Sequence, residues 1–259
     1  MNRPAVDIRG VSMVFAGKRR GETIPTLDNV SAQVPEGQFV CIVGPSGCGK
    51  STLLNIVAGF LAPSAGSVTV EGERVTGPDP RRIFVFQENG VFPWLTVRDN
   101  VGFGLLRRAA DERARAVAHY IEMVGLTGFE GAYPRELSGG MRQRVEIARA
   151  LAASPDIIYM DEPFGALDFI TRLKMRADLT RIWQTEKKTI LFVTHDIEEA
   201  VQLGDRVLVM SKRPGRIVDD VTIDLPRPRD LDAPGYLRAR DRIFHAMGMS
   251  AHLGETAPV

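Results

Sequence analysis

Gly44-Pro45-Ser46-Gly47-Cys48-Gly49-Lys50-Ser51-Thr52 is the stretch of this chain whose residue types and spacing point most directly to chemistry. A glycine, four residues, then Gly-Lys-Ser is the phosphate-loop spacing. Gly44, Gly47 and Gly49 let the backbone curl so that successive N–H groups converge on an anion. Lys50 can reach the β- and γ-phosphates of a nucleotide, and the Ser51 hydroxyl can ligate Mg²⁺. The context agrees. The apolar run Phe39-Val40-Cys41-Ile42-Val43 ahead of the loop reads as a buried strand. Leu53-Leu54-Asn55-Ile56-Val57 behind it reads as a helix whose positive end faces the same anion. A nucleoside triphosphate is the expected ligand.

Further polar residues stand where strands of such a sheet end. Ile157-Ile158-Tyr159-Met160 runs into Asp161-Glu162, a pair suited to hold Mg²⁺ with one carboxylate and activate water with the other. The strand at 189–193 runs into Thr194-His195-Asp196, and Ile83-Phe84-Val85-Phe86 runs into Gln87. Strand ends beside a phosphate loop are where ligands of open α/β sheets sit. Ser138 is a good helix N-cap, and Gly139-Gly140 open that helix's first turn to an anion. Phe15, on an early strand, could cover a nucleotide base, although an aromatic in a strand is more often core.

The elements that position these residues are legible in outline. Short strands are expected at 6–8, 11–15 and 30–34, with turns at 17–21 and 35–37. Ser67-Val68-Thr69-Val70-Glu71 alternates cleanly, and Gly72 turns it into a hairpin. From 88 to about 152 the texture is helical, with Ala114, Val117, Ile121 and Val124 at helical spacing and Gly125 closing that helix. Strands return at 206–210 and 216–225. The stretch Pro226-Arg227-Pro228-Arg229 reads as a linker, 234–247 as a short amphipathic helix, and the rest as a frayed tail. His119, His245 and His252 read as surface.

Composition narrows the class. With 259 residues, 44% hydrophobic and 25% charged, the chain can bury a sizeable core as one large domain, or one with an inserted subdomain. No apolar run is long enough to cross a bilayer, and the N-terminus lacks the apolar centre of a signal peptide. A net charge of +1 gives no electrostatic footprint for nucleic acid. Cys41 and Cys48 are poorly placed for a disulfide and suit a reducing compartment. Cys48, at a helix N-terminus beside Lys50, is expected to be the reactive thiol, and Cys41 inert.

Assembled in order, these residues resemble the ATP-binding cassette (ABC) transporter ATPases over 5 to about 225. Residues 44–52 correspond to the Walker A loop and Phe15 to the adenine-stacking aromatic. Gln87 corresponds to the glutamine that touches Mg²⁺ and water and senses the membrane partner. Leu137-Ser138-Gly139-Gly140-Met141 corresponds to the signature, with Met141 where the family usually has glutamine. Asp161 matches the Walker B aspartate, Glu162 the catalytic glutamate, Asp168 the loop that crosses the dimer seam, and His195 the switch histidine. The resemblance implies an α/β fold, a P-loop NTPase core with a mixed sheet, an N-terminal antiparallel β-subdomain and an inserted helical subdomain at about 88–152. It places the ATPase domain at 1–225 and a linker, short helix and tail at 226–259, without a regulatory domain.

It also implies catalysis by Glu162, His195 and Gln87, with Mg²⁺ held by Ser51, Gln87 and Asp161. ATP is held by residues 44–52, Phe15, Ser138, Gly139, Gly140 and Asp168. The expected assembly is a head-to-tail homodimer in the ATP-bound state, docked on separate permease subunits at the cytoplasmic face of the inner (plasma) membrane as a peripheral protein. An extracytoplasmic solute-binding protein would be an indirect partner. Phe92-Pro93-Trp94-Leu95 and Arg213-Pro214-Gly215-Arg216-Ile217 resemble the nitrate, sulfonate and taurine importer branch, which implies import of a small anion or organic solute. An exporter with separate membrane chains, and a soluble ABC ATPase acting outside transport, are the alternatives. Phe92 and Trp94 are expected either to pack the helical subdomain or to form a socket for a permease helix.

Overall fold

The computed structural model describes residues 4–17, 19, 21–86 and 90–249. Gln87 and His252 lie outside the described residues. The chain divides into two compact units, 1–79 with 189–259, and 80–188.

In the first unit, β1 (Val6–Ala16) pairs antiparallel with β2 (Thr23–Val34), and two further strands, β4 (Ala65–Val70) and β5 (Glu73–Arg74), extend the sheet in the order β2-β1-β4-β5. The separate short strands expected at 6–8 and 11–15 are one strand. Its register against β2 shifts between Ile8 and Val11, where Gly10 takes φ +58. Such a bulge bends a strand without ending it. The alternation at 67–71 is realised as burial, with Val68 and Val70 inward. Glu71 and Gly72 both take positive φ, 48 and 71, which fits the tight two-residue turn to β5.

The second sheet of this unit is mixed. β3 (Phe39–Val43) lies between β8 (Thr189–Val193) and β9 (Arg206–Met210), parallel to both, and β10 (Ile217–Thr222) pairs antiparallel with β9. All residues of β3 and β8 are buried, and apart from Thr189 at the start of β8 their sequences are continuously apolar rather than alternating, as suits strands covered on both faces. α1 (Lys50–Ala58) follows β3 and ends on Gly59 (φ 88), whose N–H returns to Asn55 and Ile56 carbonyls. α6 (Ile197–Leu203) follows β8, and α7 (Pro234–Ala246) packs on α6 and β10 through buried Tyr236 and Ile243.

The second unit pairs β6 (Arg82–Val85) with β7 (Ile157–Asp161) in parallel and adds four helices, α2 (Val97–Val101), α3 (Ala110–Met123), α4 (Gly139–Ala152) and α5 (Phe169–Glu186). α4 is its central helix, touching α2, α3, α5 and β6. The helix expected to end at Gly125 does so, with Gly125 at φ +69.

Where the sequence suggests a linker at 226–229, the structure shows a clamp. Arg227 donates to the Leu203 carbonyl and pairs with Asp205 at 2.6 Å. Arg229 donates to the carbonyls of Val201 and Gly204, and burial pulls its pKa down to about 10. Two cations at the carbonyl end of α6 oppose its negative dipole end. Prolines alone do not make a segment free.

Candidate functional site

The phosphate loop is shaped by its glycines. Gly47 and Gly49 take φ 75 and 105, a region closed to most side chains, and a Cβ on Gly47 would meet nothing within 4 Å. Gly47 is thus glycine for its conformation and open on its outer side. Gly49 is also the cap of α1, which has no side-chain acceptor and no acidic residue in its first turn. The N–H groups of that turn lack intrahelical partners by geometry, and no acidic residue of the turn itself opposes the positive helix end. Lys50 is buried, its Nζ donating to the carbonyls of Gly44 (2.9 Å) and Pro45 (3.2 Å), so the loop's own carbonyls hold the ammonium in place. Ser46, Gly47 and Ser51 are exposed, and Pro45, Gly49 and Thr52 are half-buried. A preorganised cradle of this kind suits a polyphosphate.

Cys48 corrects an expectation. Its side chain turns away from the exposed face of the loop into the core, and a Cβ on Gly44 would stand 2.9 Å from its Sγ. Burial pushes the thiol's pKa up, and Lys50 offsets this only in part. Desolvation outweighs the nearby charge, which works against the activated thiolate that the spacing suggests. Cys41 is raised well above its ordinary value, first by burial and then by Glu199. Neither cysteine forms a disulfide.

Phe15 is half-buried on β1, opposite Ile24. His195 is exposed on the turn from β8 to α6, between two anchored neighbours. Thr194 N–H donates to the Ile42 carbonyl (3.1 Å), and its hydroxyl donates to buried Glu199 at 2.6 Å. Asp196 caps α6 by accepting from Glu199 N–H. The Asp196-x-x-Glu199 spacing is a helix-start signal that the sequence reading passed over.

In the second unit, Asp161 ends β7 with 9% exposure, and Glu162 follows at φ +45. A non-glycine residue held there costs about 1–2 kcal/mol and aims its side chain where a regular strand would not. Ser138 is exposed and caps α4, accepting from Met141 N–H (3.2 Å). Gly140 is buried, and a Cβ on it would stand 2.5 Å from Thr171 Cγ2, whereas Gly139 has its nearest neighbour at 3.6 Å. Asp168 caps α5, and the Thr171 side chain and N–H hold its carboxyl below the ordinary range. Among the described residues no group of three His, Cys, Asp or Glu could hold a metal.

The ABC transporter family model matches residues 27–165. The chain belongs to the ABC transporter ATPase family. It is 49% identical over 223 residues to the nitrate import ATP-binding protein NrtD of Synechocystis sp., covering 85% of this chain and 83% of that one. It is 44% identical over 239 residues to the aliphatic sulfonates import ATP-binding protein SsuB of Bacillus cereus, covering 92% and 94%. Among solved structures, the dimeric structure of MJ0796, titled a bacterial ABC transporter cassette, superposes with TM-score 0.72 at 33% identity, covering 85% of this chain and all of that one. The same cassette bound to ADP and Pi, in a post-hydrolysis state, matches equally.

This ABC ATPase also carries an apolar surface on its second unit. Trp94 is 70% exposed, its ring 5.5 Å from that of Phe92, which in turn stands 4.6 Å from the ring of Phe103. Phe92 is half-buried, with the Arg149 guanidinium 4.7 Å over its ring. The loop is held by Asn100, fully buried, which donates to the carbonyls of Phe92, Leu95 and Thr96 and accepts from Phe92 N–H. Nothing in the sequence around Asn100 marks it out. Glu146, buried and accepting from Gly90 N–H at 3.1 Å, was likewise missed; burial raises its pKa. A cavity of about 810 Å³ lies on α3, lined by Arg98, Ala114, Val117, Ile121, Thr127 and Glu130 among others.

Proposed function

We propose that this ATPase energises import of a small anion or organic solute of the nitrate or sulfonate type through a separate permease. The observation that carries the reading is the cradle at 44–52, with Lys50 held by the loop's own carbonyls, in a chain similar over most of its length to the nitrate and sulfonate import ATP-binding proteins.

The residues divide the work. Backbone N–H groups of the loop and Lys50 bind the β- and γ-phosphates, and Phe15 stacks on the base. Glu162, set by its left-handed backbone, accepts a proton from the attacking water, and His195 contacts the γ-phosphate from its anchored turn. The Ser51 hydroxyl and the Asp161 carboxylate are hard oxygen donors of the kind Mg²⁺ takes together with substrate phosphates, and Gln87 joins them. Bound there, Mg²⁺ would neutralise phosphate charge. Ser138, Gly139 and Gly140 of a second copy complete the ATP site, with Asp168 at the seam, so ATP joins two chains and its hydrolysis releases them. No nucleic acid takes part.

No helix among the described residues is long and apolar enough to cross a membrane, so transport requires docking on a permease as a peripheral protein at the cytoplasmic face; a solute-binding protein would act on the far side. The exposed Trp94 and Phe103 and the cavity on α3 support a docking surface for a short permease helix. Co-purification from membranes tests this. Trp94→Ala should leave the isolated chain folded and binding ATP, yet weaken permease association by about 2 kcal/mol. A variant that assembles and transports normally removes Trp94 from the socket.

A further inference from the structure

The turn between β9 and β10, residues 211–216, has no part in the chemistry above, yet it presses on the back of the phosphate loop. A Cβ on Gly215 would stand 2.1 Å from the Cys48 carbonyl oxygen and 2.8 Å from Met210 Cε. Gly215 is buried, and its backbone is outside the positive-φ region, so contact and not conformation requires glycine here. Its N–H donates to the Thr26 carbonyl (2.9 Å) and its carbonyl accepts from Asp28 N–H (3.0 Å), joining the turn to β2 at Leu27. Leu27 in turn backs Gly49, where a Cβ would stand 2.7 Å from Leu27 Cδ2. The turn is braced by Ser211 N–H to the Arg216 carbonyl (2.9 Å) and by Arg216 Nε to Asp28 (2.9 Å).

We propose that this turn is a strut that fixes the shape of the phosphate loop, with Gly215 as its positioning residue. The inference rests on residues 44–52 being the nucleotide site. The Cys48 carbonyl and the Gly49 N–H belong to one rigid peptide plane and point in opposite directions. A group pressing on that oxygen from behind therefore turns the Gly49 N–H, one of the donors meant for phosphate. With glycine at 215 the oxygen is backed closely and the donor is held before ATP arrives, which lowers the ordering cost of binding.

The test measures MgATP binding by the full-length chain. Gly215→Ala should raise the Kd for MgATP by about tenfold, with kcat at saturating ATP close to the parent's, because ground-state and transition-state contacts weaken together. The methyl group should also lower the melting temperature without nucleotide, as overpacking does, so the discriminating readout is the upward shift given by MgATP: it should shrink, whereas a purely structural role would lower the melting temperature and leave that shift at the parent's size. Gly77→Ala, where a Cβ would meet nothing within 4 Å, should behave as the parent. If Gly215→Ala does not fold, Leu27→Val, which shortens the side chain behind Gly49 by one carbon, should weaken binding several-fold. Parental MgATP affinity in a folded Gly215→Ala, or in Leu27→Val where that variant stands in, overturns the strut. Unchanged binding in Lys50→Ala would instead overturn the nucleotide site itself.

Discussion

Glycine stands at the start of both α1 and α4, as the cap of one and in the first turn of the other, and the two helices start differently. α1 begins after Gly49, a cap with no side chain to accept from the helix's first N–H groups. α4 begins after Ser138, whose hydroxyl oxygen already accepts from Met141 N–H. The glycines differ too. Gly47 and Gly49 are required by positive φ, whereas Gly140 is required by Thr171 against it and Gly139 by neither. The phosphate loop is therefore built for an anion by its own chain, with conformation, charge and dipole aligned. The start of α4 is a satisfied helix cap that retains a hydroxyl proton and first-turn N–H groups to offer. In the function proposed above, one is a binding site in a single copy and the other completes a site only when a second copy brings ATP to it.

The largest effects should separate these roles. Glu162→Gln should lower turnover by about 10²–10⁴-fold while ATP still binds, so the ATP-bound dimer accumulates. Sizing columns with MgATP read this directly, and turnover at the parent's rate would remove Glu162 as the base. On that background Lys50→Ala should abolish nucleotide binding in the monomer. Ser138→Ala should leave monomer binding intact, dissolve the dimer, and cost about 1 kcal/mol of stability through the lost cap. If Ser138→Ala weakened monomer binding as Lys50→Ala does, the two helix starts would not differ as described.

A smaller effect sharpens the contrast within α4. Gly140→Ala drives a methyl group to 2.5 Å from Thr171 and should cost about 1–3 kcal/mol by overpacking, read as a lower urea midpoint. Gly139→Ala meets only ordinary contact at 3.6 Å. It should keep that midpoint and lose ATP-dependent dimerisation instead. Equal destabilisation by both would mean that neither glycine serves the anion.

Legibility followed the same division. The phosphate loop, the buried strands β3 and β8, the hairpin at Gly72 and the close of α3 at Gly125 are local chemistry, and the sequence pattern alone announces them. What it could not announce depends on residues distant in the chain. Asn100 is unremarkable until four hydrogen bonds to the 92–96 loop surround it. Arg227 and Arg229 look like linker charges until the carbonyl end of α6 stands opposite them. Gly215 looks like a turn glycine until the Cys48 carbonyl is found behind it.

Cys48 gives the smallest and most discriminating test, since it sits in the phosphate loop yet faces away from the anion. Spacing places it beside Lys50, which favours thiolate; tertiary packing buries it, which favours thiol, and burial is the larger cause. The folded pKa therefore lies above that of the unfolded chain. The contribution to stability is fully present below the unfolded thiol value and is lost as pH rises above it, because only the unfolded state then releases the proton. Comparing urea midpoints of the parent and Cys48→Ala should show the parent's advantage shrinking between about pH 8 and pH 10, with Cys41 common to both. Alkylation of the native chain at pH 8 should be much slower at both thiols than in urea, and slowest at Cys41, whose burial is joined by Glu199. Native labelling of Cys48 at the unfolded rate would show that the thiol faces the nucleotide after all, and that the loop's two sides are not chemically distinct.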